Sequence, residues 1–226
     1  MSFIVAIDGP AGSGKGTVTK LVADKLGLVT VDTGAMYRCV ALKALRNNVN
    51  ETQIEKLEKI LEDISIDLKK QGEEQLVFLD GEDVSKEIRT TKIDECVAKY
   101  AAVECVRNKV TPLQRKMGEN NEIIMEGRDI GTTVFPNADV KIYLDASFEE
   151  RAKRRYKQDM EMGLKVTYEE VLEGIKQRHI LETQRKISPL RKAEDAIYVD
   201  SSKLTIEEVV NKIIEIVNSK KKIKGG

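Results

Sequence analysis

The chain carries no net charge: its 226 residues include 38 lysines and arginines against 38 aspartates and glutamates. That balance argues against a general nucleic-acid or membrane-surface binder, which needs a cationic excess. Cysteine is scarce. Cys39, Cys96 and Cys105 form no CxxC and no pairing pattern, so a disulfide framework is not expected and free thiols in a reducing compartment are. His179 is the single histidine, and no metal site built from side chains is expected. No apolar run reaches membrane-spanning length, and the sequence enters a first strand at once without a signal peptide. A soluble, cytoplasmic protein is therefore expected, and it is taken to be a monomer. There is no internal repeat, and the one low-complexity stretch, Lys220–Gly226, is expected to fray. What remains is 41% apolar and 34% charged, enough for one well-cored domain with insertions.

The chain is organised around GPAGSGKGT, Gly9 to Thr17. It follows FIVAI, an apolar run with the length and branching of a buried strand. It opens into a helix whose face is marked by Val18, Leu21, Val22 and Leu26 and which Gly27 ends. Strand, glycine-rich loop, helix is the setting of a phosphate-binding loop. In such a loop Gly9, Pro10, Ala11, Gly12, Ser13, Gly14, Lys15, Gly16 and Thr17 surround an anion with backbone N–H groups. The helix N-terminus adds partial positive charge, and Lys15 reaches the outer phosphates. Gly16 stands where the general pattern has a metal-binding hydroxyl, which comes one residue later at Thr17. A metal is then expected to be held mostly by phosphate oxygens and water.

Further along, Leu28–Val31 reads as a strand, with Asp32-Thr33-Gly34 at its carboxyl end and a helix through Met36, Val40 and Leu45. Asp32 alone reads best as a helix cap, whereas Arg38 near the same mouth points to an anion contact. Thr52 and Glu55 have the spacing of a capping box. The period then shortens to two: ISIDL, KKQGEEQ as a turn and QLVFLDG form a hairpin, with a third strand expected near Val84–Ile88. Helical sequence returns over 92–118, where Pro112 predicts a kink or a division. Buried strands follow at Ile123–Met125 and Val140–Leu144. Helices capped by Ser147 and Glu150 and by Thr167 and Glu170 come next, then the strand in AIYVDSS and a final helix capped by Thr205 and Glu208. Five strands separated by helices predict an α/β fold with a parallel, helix-covered sheet.

Three charged sets bear on chemistry. Arg128 and Asp129 sit just past a buried strand, where a ligand role outweighs a surface ion pair. Arg151, Arg154 and Arg155 share a helix face before Gly163. They form either a solvated basic face or a lid that closes on transferring phosphates; Arg154 and Arg155 favour the lid, and Arg151 fits either. Arg178, Glu182 and Arg185 continue the stripe begun by Val171 and Ile175, as an exposed ion-pair ladder or as a wall of the cleft.

AIDGPAGSGKGT, DTGAMYR, LDGEDVSKEIR, EGRDIGTTVFP, VKIYLDAS and AIYVDSS together resemble the bacterial cytidylate (CMP) kinases over essentially the whole length. The resemblance implies a P-loop kinase fold with a core at 1–60, 111–150 and 186–226. It also implies an antiparallel-hairpin-plus-helix CMP-binding insertion at about 61–110, a helical lid at about 151–170 and a substrate-facing helix at 168–185. It implies phosphorylation of CMP and dCMP by ATP with Mg²⁺. By this resemblance Gly9–Thr17 hold the ATP phosphates, and Lys15, Arg128, Arg154 and Arg155 serve the transfer. Arg38 and Arg128 meet the CMP phosphate, with Thr33 near the nucleotide. Arg107, Asp129 and Arg185 face cytosine, and Arg178 and Glu182 face the sugar. Two residues depart from the family pattern: Glu182 stands for the usual Asp and Ala98 for a frequent Ser. A GTPase switch is disfavoured because Asn108-Lys109-Val110-Thr111 lacks the aspartate of NKxD. A non-catalytic nucleotide binder does not require the arginine set. A uridylate/cytidylate kinase of the adenylate kinase type would lack the hairpin between Ile64 and Leu79.

Overall fold

The computed structural model describes residues 2–72, 74–119 and 121–225. They form two compact units, Met1–Thr30 with Gly118–Gly226, and Val31–Met117. The strands of the main sheet are β1 (Phe3–Asp8), β2 (Val29–Asp32), β6 (Glu122–Gly127), β7 (Val140–Asp145) and β8 (Ile197–Asp200), in the order β2-β6-β1-β7-β8. β1 runs parallel to both β6 and β7, and β8 parallel to β7. The expected five-stranded α/β sheet is therefore present.

In the first unit, α1 (Lys15–Leu26) and α8 (Ile206–Gly225) bury Val18, Val22, Val209, Val210, Ile213 and Val217 against Val5, Ile7, Ile142 and Leu144. These residues have the helical spacing of an apolar stripe on one side and the unbroken apolar run of a two-face-buried strand on the other. Helix α8 continues through Gly225, beyond the point where fraying was expected; Gly226 lies outside the described residues. α6 (Phe148–Glu161) and α7 (Tyr168–Gln184) pack through Ala152, Val171 and Ile175. Both start at the expected caps. The Ser147 hydroxyl accepts from Glu150 N at 3.2 Å, and Thr167 and Glu170 form a reciprocal capping box.

In the second unit, α2 (Thr33–Arg46) opens at Asp32, whose Oδ1 accepts from Ala35 N at 3.0 Å, the capping role read from the sequence. α3 (Ile54–Leu61) starts without the expected box: Gln53 is its cap, and the Thr52 hydroxyl donates instead to Asn50 Oδ1. β3 (Ile66–Gln71) and β4 (Glu74–Leu79) form the hairpin, with Ile66 opposite Leu79 and Leu68 opposite Val77, so apolar partners share one face. The strands run further than expected, pairing through Gln71 and from Glu74, so the turn is shorter than the whole of KKQGEEQ; it includes Gly72, and Glu73 lies outside the described residues. The third strand, β5, comes earlier than expected, at Glu82–Asp83, and Glu87–Arg89 forms a 3₁₀ turn. The long helical segment divides into α4 (Thr91–Tyr100) and α5 (Glu104–Met117), but the division falls at 101–103 and Pro112 lies inside α5. The buried Tyr100, whose hydroxyl donates to Val49 O at 2.7 Å, anchors the end of α4.

Candidate active site

In the first unit the glycine-rich loop joins β1 to α1. Gly9 allows the backbones to close up: a Cβ there would lie 2.0 Å from the Leu144 carbonyl oxygen. Gly14 caps α1 in the left-handed backbone region, where a glycine is at ease, and supplies no side-chain acceptor to the first helical amides. Lys15 is buried and donates through Nζ to Pro10 O at 2.8 Å. Burial pushes its ammonium well below the ordinary lysine range, Arg128 adds to that, and Glu126, Glu182 and Asp8 oppose it.

The loop's carbonyls are held by cations. Arg151 donates to Ala11 O at 3.3 Å and to Ala146 O at 3.0 Å. Arg154 donates to Ser13 O at 3.1 Å, to the Ser201 hydroxyl at 3.0 Å and to Ser201 O at 2.8 Å. With Lys15 on Pro10, three loop carbonyls rest on positively charged side chains. Arg155 instead pairs with Asp159, one turn along α6.

Past the carboxyl end of β6, Arg128 Nε donates to one oxygen of Glu182 and Arg178 Nε to the other, each at 2.9 Å. Glu182 is buried. Burial opposes its ionisation, but Arg128 and Arg178 outweigh that and hold its carboxyl at about 2. Asp129 and Arg185, also buried, approach at 3.4 Å, and Arg185 Nε donates to Ser188 O at 2.7 Å. So the ladder read on α7 is a half-buried charged wall built round the buried Glu182, with Arg128 in it, and Asp129 pairs with Arg185.

The second unit carries Thr33, Arg38 and Arg107. Thr33 is buried at the first turn of α2. Arg38 bonds to Asp94 and donates to Ile88 O at 3.2 Å. Arg107 is buried, donates to Ala101 O at 3.2 Å and lies over the Tyr37 ring at 5.3 Å. Ala98 sits on α4, half-buried.

Two acidic residues were not singled out in the sequence. Asp8 ends β1, and both its oxygens accept backbone N–H groups of the turn after β6: Ile130 at 2.8 Å and Gly131 at 2.7 Å. Glu126 sits near the end of β6 with Oε1 3.2 Å from where a Cβ on Gly16 would stand. The available signal was an acid directly after the apolar run in each of FIVAID and EIIMEG. His179 stacks edge-on against Phe148, an ordinary packing role.

The family model described as cytidylate kinase matches residues 5–219. A cytidylate kinase of Fusobacterium nucleatum is 49% identical over 210 residues, covering 93% of this chain and 94% of that protein. One of Bacillus subtilis is 47% identical over 216 residues, covering 96% of each. A crystal structure of an uncharacterised protein from Eubacterium ventriosum superposes with a TM-score of 0.54 at 13% identity, over 96% of this chain and 99% of that one. That likeness concerns the fold alone.

Proposed function

The chain belongs to the cytidylate kinase family, and on that premise we propose that it phosphorylates CMP, and dCMP, at the expense of ATP. An oxygen of the CMP phosphate attacks the γ-phosphorus of ATP in line, the bond to the β,γ-bridging oxygen breaks, and CDP and ADP form. One observation supports this above the rest. The loop bearing Lys15 and the wall of Arg128, Glu182 and Arg178 stand at the carboxyl ends of adjacent parallel strands, β1 and β6, within one unit. Phosphoryl transfer needs little more than two phosphates held in line among fixed positive charges.

In this reading Gly9–Thr17 bind the ATP phosphates. Lys15 leaves Pro10 O for the β,γ-bridge, where a bound anion restores its full charge. Arg151 holds the Ala11 carbonyl, and Arg154, leaving Ser13 O, and Arg155 neutralise charge as the segment 151–170 closes as a lid. Arg128 and Arg38 take the CMP phosphate, with Thr33 near the nucleotide. Arg178 and Glu182 serve the sugar. Asp129 accepts from the cytosine amino group, while Arg107 and Arg185 donate to the ring acceptors.

Mg²⁺ fits the oxygen chemistry present. Gly16 offers no hydroxyl, and the Glu126 carboxylate stands beside it at the head of α1. Glu126 and the ATP phosphates would hold the ion, which when bound spreads negative charge off the transferring group. Balanced charge supports action without a nucleic-acid partner, and we read the protein as a cytoplasmic monomer. No helix among the described residues is long and apolar enough to cross a membrane.

The test is ADP release measured with a panel of nucleoside monophosphates. CMP and dCMP should support it and AMP and GMP should not, with UMP far weaker than CMP. A folded protein that releases no ADP with CMP overturns the proposal.

A further inference from the structure

We infer that Asp8 is a positioning residue that locks the substrate-binding turn Arg128–Gly131 to the strand that carries the phosphate loop. The inference rests on the proposed CMP phosphorylation.

Asp8 sits at a joint. Its backbone ends β1 and passes directly into Gly9, the first residue of the phosphate loop. It lies opposite Gly127, the last residue of β6, in the parallel register. Its side chain reaches the turn that follows, taking the Ile130 N–H on one oxygen and the Gly131 N–H on the other. The two residues just before these amides are Arg128 and Asp129. The turn is also knit to itself: Asp129 O accepts from Thr133 N at 2.8 Å and from Val134 N at 3.2 Å. Its far end is held by Lys141 of β7, whose Nζ donates to Pro136 O and, at 2.9 Å, to Asp195. The backbone of Arg128 and Asp129 is thus fixed by bonds made elsewhere in the turn, before any substrate arrives.

The chemistry of Asp8 argues that this bond pair has a use beyond folding. The side chain is buried, and burial pushes its carboxyl up to about 6; the Gly131 and Ile130 amides and Lys15 pull the other way, and Asp129 adds to the rise. A buried carboxylate is costly to keep ionised. An apolar residue would close an apolar strand without that cost. Yet only an ionised carboxylate presents two acceptors to two diverging amides. A single rigid residue between the donor loop and the acceptor turn fixes the separation of the two phosphates, on which the rate of in-line transfer depends steeply.

The experiment compares wild type with Asp8→Asn, which keeps the shape but turns an NH₂ towards one of the two amides. Expected is a fall of about 10- to 100-fold in kcat/KM for CMP, a narrower CMP/UMP ratio because Asp129 is displaced, and a KM for ATP within about threefold of wild type. A merely structural role would weaken ATP and CMP together. Equal losses for both nucleotides, or no loss for CMP, overturn the inference. Should Asp8→Asn fail to fold, amide exchange in the wild-type protein decides. Ile130 and Gly131 should be strongly protected without nucleotide and little changed by CMP; protection that appears only when CMP binds overturns the inference. Absence of CMP-dependent ADP release in the wild type would instead overturn the proposed function.

Discussion

Replacing Glu182 by Gln removes one negative charge from between two guanidinium groups. The glutamate is 5% exposed, and Arg128 and Arg178 are 21% and 26% exposed. Its carboxyl is held at about 2 against an ordinary value of 4.5. At about 1.4 kcal/mol for each tenfold change in proton affinity, that difference corresponds to about 3 kcal/mol. Breaking a buried ion pair from one side costs about 3–5 kcal/mol, which agrees at its lower end. Hydration of the partly exposed arginines recovers some of this, so a net loss of about 2–3 kcal/mol is expected. For a chain of this length that lowers Tm by roughly 4–12 °C. The amide can still accept from one arginine, but its NH₂ faces the other, donor against donor. Arg128 then has no fixed place, and kcat/KM for CMP should fall about 10- to 100-fold.

The pH dependence carries the sign. The folded-state carboxyl lies below its unfolded value, so its contribution is fully present above the unfolded value and is lost as pH falls towards about 2. The Tm gap between wild type and Glu182→Gln should therefore be widest above pH ~5 and close as the solution is acidified. Calorimetric melts at pH 7 and at successively lower pH provide the measurement, with CMP kinetics at pH 7 beside them. A variant that melts with wild type at pH 7 and keeps its kcat/KM would refute the reasoning, because the carboxylate would then hold neither arginine.

Lys15→Ala should lower kcat by about two orders of magnitude or more, the scale of one preorganised charge contact of about 3 kcal/mol; steady-state kinetics on the folded variant checks this. Because burial and Arg128 depress the Lys15 ammonium, ATP binding at mildly alkaline pH should take up a proton, seen as calorimetric heats that vary with buffer ionisation enthalpy in wild type and not in Lys15→Ala. Asp129→Asn should narrow the kcat/KM ratio of CMP over UMP, because an amide can turn its NH₂ towards the uracil carbonyl; an unchanged ratio would mean that the base is read elsewhere.

The elements that were legible in the sequence are those with a local cause. The glycine loop, the paired caps at Thr167 and Thr205 and the period-two hairpin each announce themselves within a few residues, and each stands where expected. The break between α4 and α5 does not: it falls at 101–103, whereas the local signal, Pro112, lies inside α5. Tyr100 is pinned to Val49, fifty-one residues away, and the chain turns just beyond it. The same distinction runs through the site. Arg128, Arg178 and Glu182 were found because they are charged at telling positions, but that Glu182 grips both arginines depends on α7 meeting the end of β6, fifty-four residues apart. Asp8 and Glu126 went unremarked because a single acid at a strand end resembles ordinary punctuation. Only the parallel register of β1 and β6 turns the first into a clamp on a neighbouring turn and sets the second beside Gly16. Charge type and local spacing are written along the chain; which charges share a partner is written across the sheet.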